Sequence, residues 1–569
     1  MTRAAAEAAP APRGLGERAV AGALLALALL HVVPIWAAPY LPTTDGGAHV
    51  YNAWILRGLL SGDAPSAIAE HYELNLRPYP NWLGHAAMAA LMGVAPPPVA
   101  EKLLATAYVL LFAAGSWTLL AAVREREPWI ALLALPFIHN RLFQFGFYNY
   151  ALGLALVPWV LGHWWRHRER PTPAFALRLN LLLFACWFAH LMPFALAIAG
   201  VGVLWATTLR GVGRRARLAH VAILLPQAAL PLWYLADSQG RADGSWDTLQ
   251  SLRYLGTLEA LTVDTAQRPL VLALSAGFLV LLLRTLWVRG APGAPRRPAD
   301  VFLLLAGLAL LAYLLAPTHL AGGGLVKERL SLLPFLAVIP ALVTGWRPAA
   351  QRAAAVVLVG LVLVDLALVV RWSRERGREV ARFVAGLEAA PRGSRVVSVL
   401  YDRRPLVESL KHATGHAAVR RGLVDWDNYE AKVRFFPTRF RGSIEPPRIT
   451  RQRRASAERL VARHRDVLDA VYTWRMPPGH PERVALRRHY RRVSGEPGGG
   501  ELWVRRRRPW YPRRPAQGGP AQGGPAQEGR ARGMPLRNGD RARAGAAESA
   551  PRADAPPTAP SPSAGATPR

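Results

Sequence analysis

Between about residue 19 and residue 370 the chain is a succession of apolar runs, most about 17–25 residues long, the length a helix needs to cross a hydrocarbon core of about 30 Å. Nothing else in the sequence restricts the fold so strongly. A soluble protein of 569 residues would show amphipathic stripes rather than all-apolar blocks. Only helices or closed barrels satisfy their backbone polar groups in lipid, and runs of this length specify helices. The expected class is a polytopic α-helical membrane protein. The clear spans lie near 19–38, 99–122, 129–145, 147–165, 176–190, 191–209, 218–235, 269–288, 300–316, 329–346 and 352–370. The stretch 81–97 is open to two readings, a further span or a half-buried helix at the interface.

Charge orients these spans. Arg124/Arg126, Arg166/Arg168/Arg170, Arg210/Arg214/Arg215/Arg217, Arg289/Arg296/Arg297 and Arg347/Arg352 all fall on the cytoplasmic side if 81–97 does not cross. That gives about eleven spans, a cytoplasmic N-terminus and an extracytoplasmic C-terminal part. If 81–97 does cross, 176–209 must be one helix kinked at Pro193. Both schemes put loops 39–80, 236–268 and 317–328 outside. Arg3, Arg13 and Arg18 ahead of the first run resemble a signal peptide, but the run is long and many spans follow, so it reads as an uncleaved first helix.

After residue 372 the apolar blocks stop. Segment 379–389 reads as an amphipathic helix ended by Pro391 and Gly393. Segments 395–401 and 467–474 read as strands, and 490–494 with 501–505 as a hairpin around a glycine-rich turn. The expected organisation is therefore a membrane domain over 1–372, an extracytoplasmic α/β domain over 373–508, and a Pro/Gly/Ala/Arg-rich tail over 509–569 that cannot bury a core and should be disordered. In loop 39–80, Ala53 to Leu60 and Pro65 to Glu73 read as short helices lying in the interface plane. The net charge of +33 is concentrated in loops and the Arg-rich C-terminal third, where lipid headgroups or anionic lipid-linked substrates are its expected partners, not nucleic acid. Cys186, alone of its kind, is a packing residue.

Polar groups beside or inside the spans mark candidate chemistry. Asp45, just beyond the first span in Thr43-Thr44-Asp45-Gly46-Gly47-Ala48-His49, is either a catalytic carboxylate or the cap of a turn. His49, one helical turn on, orients Asp45, touches a phosphate, or is simply an interfacial histidine. As a metal pair the two lack a third ligand, so no metal is expected and a divalent cation is the minor alternative. The outer loop Gly322-Gly323-Gly324-Leu325-Val326-Lys327-Glu328-Arg329 suits close backbone approach to a phosphate, with Lys327 and Arg329 as its cations. Arg77 and His85 are further candidates for the same anion. His190, Asn140, Arg141 and Tyr148-Asn149-Tyr150 interrupt apolar runs. Asp425-Trp426-Asp427 has the spacing of a metal–nucleotide motif, with a structural use or acceptor contacts as the other readings.

Asp45 after the first helix, the proline-rich approach Pro78-Tyr79-Pro80-Asn81-Trp82, the many spans and the outer C-terminal domain together resemble the GT-C class of membrane glycosyltransferases. That broad group includes protein mannosyltransferases and the lipid A aminoarabinose transferase. The chain is also similar to bacterial membrane proteins in which Asp-Gly-x-Ala-His and Asn-Tyr-Glu-Ala elements recur, here at 45–49 and 428–431. The paired acidic motif and the double proline of several GT-C families are missing. The resemblance implies an enzyme of the bacterial cytoplasmic membrane that moves a sugar from a polyprenyl-phosphate donor to an extracytoplasmic glycan, lipid or protein. It also implies Asp45 as the base, with His49 beside it, and cations from Lys327, Arg329, Arg77 and His85 at the donor phosphate. A lipid or polysaccharide transporter, or a non-catalytic scaffold of an envelope pathway, is the alternative.

Overall fold

The structure, a computed structural model, describes residues 16–123, 127–209, 213–237, 242–292, 297–320, 323–401, 405–444, 461 and 463–506. The expectation for the tail lies outside the described residues. Seven described helices are long and apolar enough to cross a membrane: Glu17–Trp36, Pro97–Val123, Leu191–Thr208, Arg214–Asp237, Thr265–Gly290, Pro298–Leu315 and Pro348–Gly386. Each coincides with an expected span. Their outer faces expose Leu279, Leu283, Trp287 and Leu308, apolar surface that water would penalise and lipid would not. The protein is a multi-pass helical membrane protein. Helices Tyr148–His167 and Pro173–Ala189 pack among these seven. Helix Leu83–Leu91 has only 9 residues, about 14 Å of rise, too short to cross alone.

Two expected spans are not long helices. Segment 129–145 forms a 3-10 stretch, Pro128–Phe137, and then a short helix, Arg141–Gln144. Segment 329–346 is broken into Val326–Leu330, Leu333–Val338 and Ile339–Ala341. Prolines at 128, 136, 334 and 340 remove backbone donors and interrupt regular helix. The two segments nevertheless run between the same two levels. At one end the Glu127 carboxylate accepts hydrogen bonds from the backbone N–H groups of Thr344 (2.8 Å) and Gly345 (2.9 Å). At the other, Gln144 O and Phe145 O accept from the N–H groups of Thr44 and Asp45, and Tyr150 donates to Arg329 O. Irregular backbone at such depth is tolerated only inside protein, and every residue from Trp129 to Phe137 is buried.

The last apolar run does not stop where the charges begin. Helix Pro348–Gly386 continues for 39 residues, about 58 Å, so the separate helix expected over 379–389 is its far end and the boundary expected at 372/373 falls inside it. Its Val380, Phe383 and Val384 pack on a five-stranded sheet. The strand order is Val424–Asp425, Arg395–Leu400, Ala470–Trp474, Gly500–Arg505, Tyr490–Gly495. The first three strands run parallel, and Gly500–Arg505 is antiparallel to both neighbours. The hairpin and both strands expected from sequence are present.

Loop 39–80 belongs to this sheet's core rather than to the membrane surface. Its helix begins at Gly46, runs to Ser61, and is buried along nearly its whole length. Tyr51, Ile55, Ile68 and Tyr72 share one apolar cluster with Val396, Val471 and Trp503. Strand Tyr72–Leu74 pairs antiparallel with Thr438–Phe440, in the register Tyr72↔Phe440. The first of the two helices expected at the interface is therefore a buried layer between the apolar helices and the sheet, and the second, Ser66–His71, buries only Ile68 in that core.

Candidate active site

The buried layer owes its position to two glycines. A Cβ on Gly46 would collide with Thr43 Oγ1, Glu101 Oε1 and the Tyr148 hydroxyl, all on the side of the apolar helices. A Cβ on Gly47 would collide with the carbonyl of His412, on the side of the sheet. Gly-Gly after Asp45 is therefore the start of a helix pressed between two surfaces, not a free turn. Asp45 occupies the N-cap position, yet its side chain makes no capping hydrogen bond. Its carboxylate is directed elsewhere.

Asp45 is buried. Its Oδ2 accepts from the Tyr429 hydroxyl at 2.9 Å, and Oδ1 lies 3.7 Å from His412 Nε2. The His412 ring packs on Tyr429 with centroids 4.7 Å apart. Burial raises the Asp45 carboxyl above its ordinary value, against the charges of His49 and Lys411 and the hydrogen bond from Tyr429. Burial, aided by the charge of Lys411, also keeps His412 well below the usual histidine range, hence neutral.

His49, also buried, sits in a second cluster. Its Nδ1 is 2.6 Å from Glu430 Oε1 and 3.2 Å from His85 Nε2. His85 Nε2 is 2.8 Å from Glu430 Oε2. Burial would raise the Glu430 carboxyl, but the two histidines outweigh it and hold it down at about 2. The same carboxylate raises His49 against the effect of its burial.

Segment 425–440 is fastened over these groups. Asn52 and Asn428 exchange amide hydrogen bonds, and Thr438 Oγ1 donates to Asn52 Oδ1 at 2.7 Å. Asp425 and Asp427 do not share an open site. Asp425 is buried and pushed up to about 7 by that burial and by the charge of Asp427, while Asp427 pairs with Lys432 at 3.3 Å. The groups that reach Asp45 and His49 are the next residues, Tyr429 and Glu430. Sequence reasoning singled out their four-residue element but gave neither side chain a role.

The expected phosphate cations separate. Arg329 stacks on Phe147 at 4.6 Å, donates to Gly324 O, and feels the charge of Asp45. Lys327 does not join it. Its buried ammonium donates to Ser251 Oγ (3.2 Å) and to the carbonyls of Tyr313 and Leu314 (3.1 Å each), at the C-terminal end of helix Val301–Leu315. Arg77 is largely exposed and pairs with Asp237 at 3.4 Å. His190 accepts from Met192 N as the cap of helix Leu191–Thr208, Asn140 caps Arg141–Gln144, and Arg141 pairs with Glu259 at 2.7 Å. Asn149 Oδ1 accepts from Gly84 N and its Nδ2 donates to Asn81 O, which fixes the approach to His85.

Below this layer a small apolar cleft of about 90 Å³ opens between the helices, lined by Phe112, Leu119, Leu154, Leu161, Leu305 and Pro340 among others. Leu154 follows Tyr148 on one helix by about 9 Å of rise, and Phe112 follows Glu101 on another by about 16 Å.

No protein-family model matches the sequence. No curated protein matches it either. Among solved structures, the chain is similar to the crystal structure of ArnT from Cupriavidus metallidurans in the apo state, at 13% identity over 85% of this chain and 97% of that chain, with a TM-score of 0.42.

Proposed function

We propose that the protein is a GT-C-type membrane glycosyltransferase that moves a sugar from a polyprenyl-phosphate donor to an extracytoplasmic acceptor, with Asp45 as the base. One observation carries this reading. Asp45 is a buried carboxylate next to the membrane helices, oriented by a single hydroxyl from Tyr429 and left free of its capping duty. Desolvation that raises a carboxylate's pKa also makes it a stronger base towards a sugar hydroxyl. The cleft below is lined almost entirely by apolar side chains, as a surface for a polyprenyl chain would be, and Arg329 is a cation near Asp45 available to a departing phosphate. The acceptor can be a glycan, a lipid or a protein.

The test is transfer from labelled polyprenyl-phosphate sugars in membranes that contain the full chain. Asp45→Asn keeps the shape and can still accept from Tyr429, but it cannot take a proton. Transfer should be abolished at normal protein level. Full transfer by Asp45→Asn would remove the base assignment. Failure of the intact protein to consume any lipid-linked sugar would favour a transporter or scaffold.

A further inference from the structure

We infer that His49, His85 and Glu430 form a binding site for one divalent transition-metal cation of the zinc type. The site clamps the C-terminal region onto loop 39–80, and it is independent of the glycosyltransferase reading. The two histidines come from helices Gly46–Ser61 and Leu83–Leu91, and the carboxylate from the turn Glu430–Lys432. Their ligand atoms all lie within 4.8 Å of one another, and all three side chains are buried.

The geometry can hold a shared cation in place of the ion pairs. His49 Nδ1 is 2.6 Å from Glu430 Oε1, His85 Nε2 is 2.8 Å from Glu430 Oε2 and the two nitrogens are 3.2 Å apart, so three ligand side chains converge on one small volume. If both rings carried a proton there, two N–H donors would face each other at 3.2 Å. Among the described residues Glu430 Oε1 has no hydrogen bond of acceptable direction, although His49 Nδ1 is its close neighbour. Around a tetrahedral zinc with bonds of about 2.0–2.1 Å, donor atoms stand roughly 3.3 Å apart, so the two histidine–carboxylate separations would have to open by roughly 0.5–0.7 Å while the histidine–histidine separation already fits. His85 Nδ1 lies 3.2 Å from the carbonyl of Asn81 and 3.3 Å from the Asn149 amide nitrogen, which itself donates to that carbonyl. An N–H there would donate to that carbonyl and leave Nε2 as the lone-pair donor, the arrangement that metal-bound histidines usually show.

Two histidines and one glutamate leave a fourth position for water or another ligand. Asp45 is outside the set, because its carboxylate is held by Tyr429. The cation would still reach Asp45 indirectly. It would fix Glu430, hence its neighbour Tyr429, hence the hydroxyl that orients Asp45. From sequence the site was invisible because Asp45 and His49 were paired with each other, while the missing ligands stand at 85 and 430.

The experiment uses the full chain in detergent, purified on a tag without histidines and equilibrated with zinc. Elemental analysis should give about one zinc per chain, and Glu430→Gln or His85→Asn should bind zinc at least roughly tenfold more weakly, since even outer-shell changes cost that much. His319→Asn, an exposed histidine elsewhere, should leave the stoichiometry unchanged. A second measurement needs no variant. Chelation should lower the wild-type Tm, and zinc should restore it. Wild type that takes up no zinc in excess, a Glu430→Gln variant that binds as tightly as wild type, or a Tm indifferent to chelation would each overturn the site.

Discussion

Asn52 and Asn428 face each other across 376 positions of sequence and exchange two amide hydrogen bonds, each 2.9 Å long. Both side chains are buried, at 0% and 1% exposure, so each amide depends on the other. The pair sets the register of the segment that brings Tyr429 to Asp45 and Glu430 to His49.

This relationship predicts a specific pattern of non-additivity. Asn52→Ala or Asn428→Ala should each cost about 1–3 kcal/mol, because the surviving amide is buried without its partner. The double variant should cost clearly less than the sum. Thermal unfolding of the purified protein measures all three. Strict additivity would mean that the two amides do not depend on each other.

The close approach at Gly46 predicts a second outcome. Gly46→Ala would drive a methyl group into Thr43, Glu101 and Tyr148 and should destabilise by about 1–3 kcal/mol. Gly22→Ala, on an exposed face of the first helix with nothing within 4 Å of the added atom, should be neutral or slightly stabilising. Equal effects at the two positions would show that the layer is looser than its contacts imply.

Seven spans were legible because each is continuous apolar helix, and length with composition suffices for those. Segments 129–145 and 329–346 have the same composition, so hydropathy read them as equals. What sets them apart is proline placement and complete enclosure by protein, and enclosure is tertiary. The far end of helix Pro348–Gly386 was cut off in reading because Arg371 to Arg378 looked like a boundary. A charge run ends the membrane without ending a helix. At the site, Asp45 and His49 were visible as polar residues next to a span, but the partners that give them geometry are 384 and 381 positions away. Lys327 and Arg329 looked equivalent because they are neighbours. On a short helix two positions apart they face different ways, and only one turns towards Asp45.

Orientation supplies a third prediction. Arg289 and Arg297 flank the connection between helices Thr265–Gly290 and Pro298–Leu315, and the excess of positive charge predicts that this connection is cytoplasmic. Ser394, in the sheet domain, should then lie on the opposite side. Single cysteines introduced at the exposed positions Gly290 and Arg392, the latter two residues before Ser394, in a background with Cys186 replaced, should label from opposite faces of sealed vesicles. Labelling from the same face would refute the orientation.

The contrast between Lys327 and Arg329 gives the last prediction. The Lys327 ammonium is enclosed by three oxygen acceptors at 3.1–3.2 Å, two of them carbonyls at a helix C-terminus that has no other cation in contact among the described residues. Removing it with Lys327→Met leaves those acceptors unpaired, so stability should fall while donor KM in the surviving protein stays unchanged. Among the described residues Arg329 makes one side-chain hydrogen bond, to Gly324 O, and its Nε is buried without a partner, so it has capacity for an anion. Arg329→Gln should therefore raise donor KM. The loss of one charged hydrogen bond, about 1.5–3 kcal/mol, corresponds to roughly ten- to hundredfold. Transfer kinetics over a range of lipid-linked sugar concentrations, set beside Tm, separate the two effects. A large KM change at Lys327 with Tm intact, or none at Arg329, would reverse the assignment of the phosphate cation.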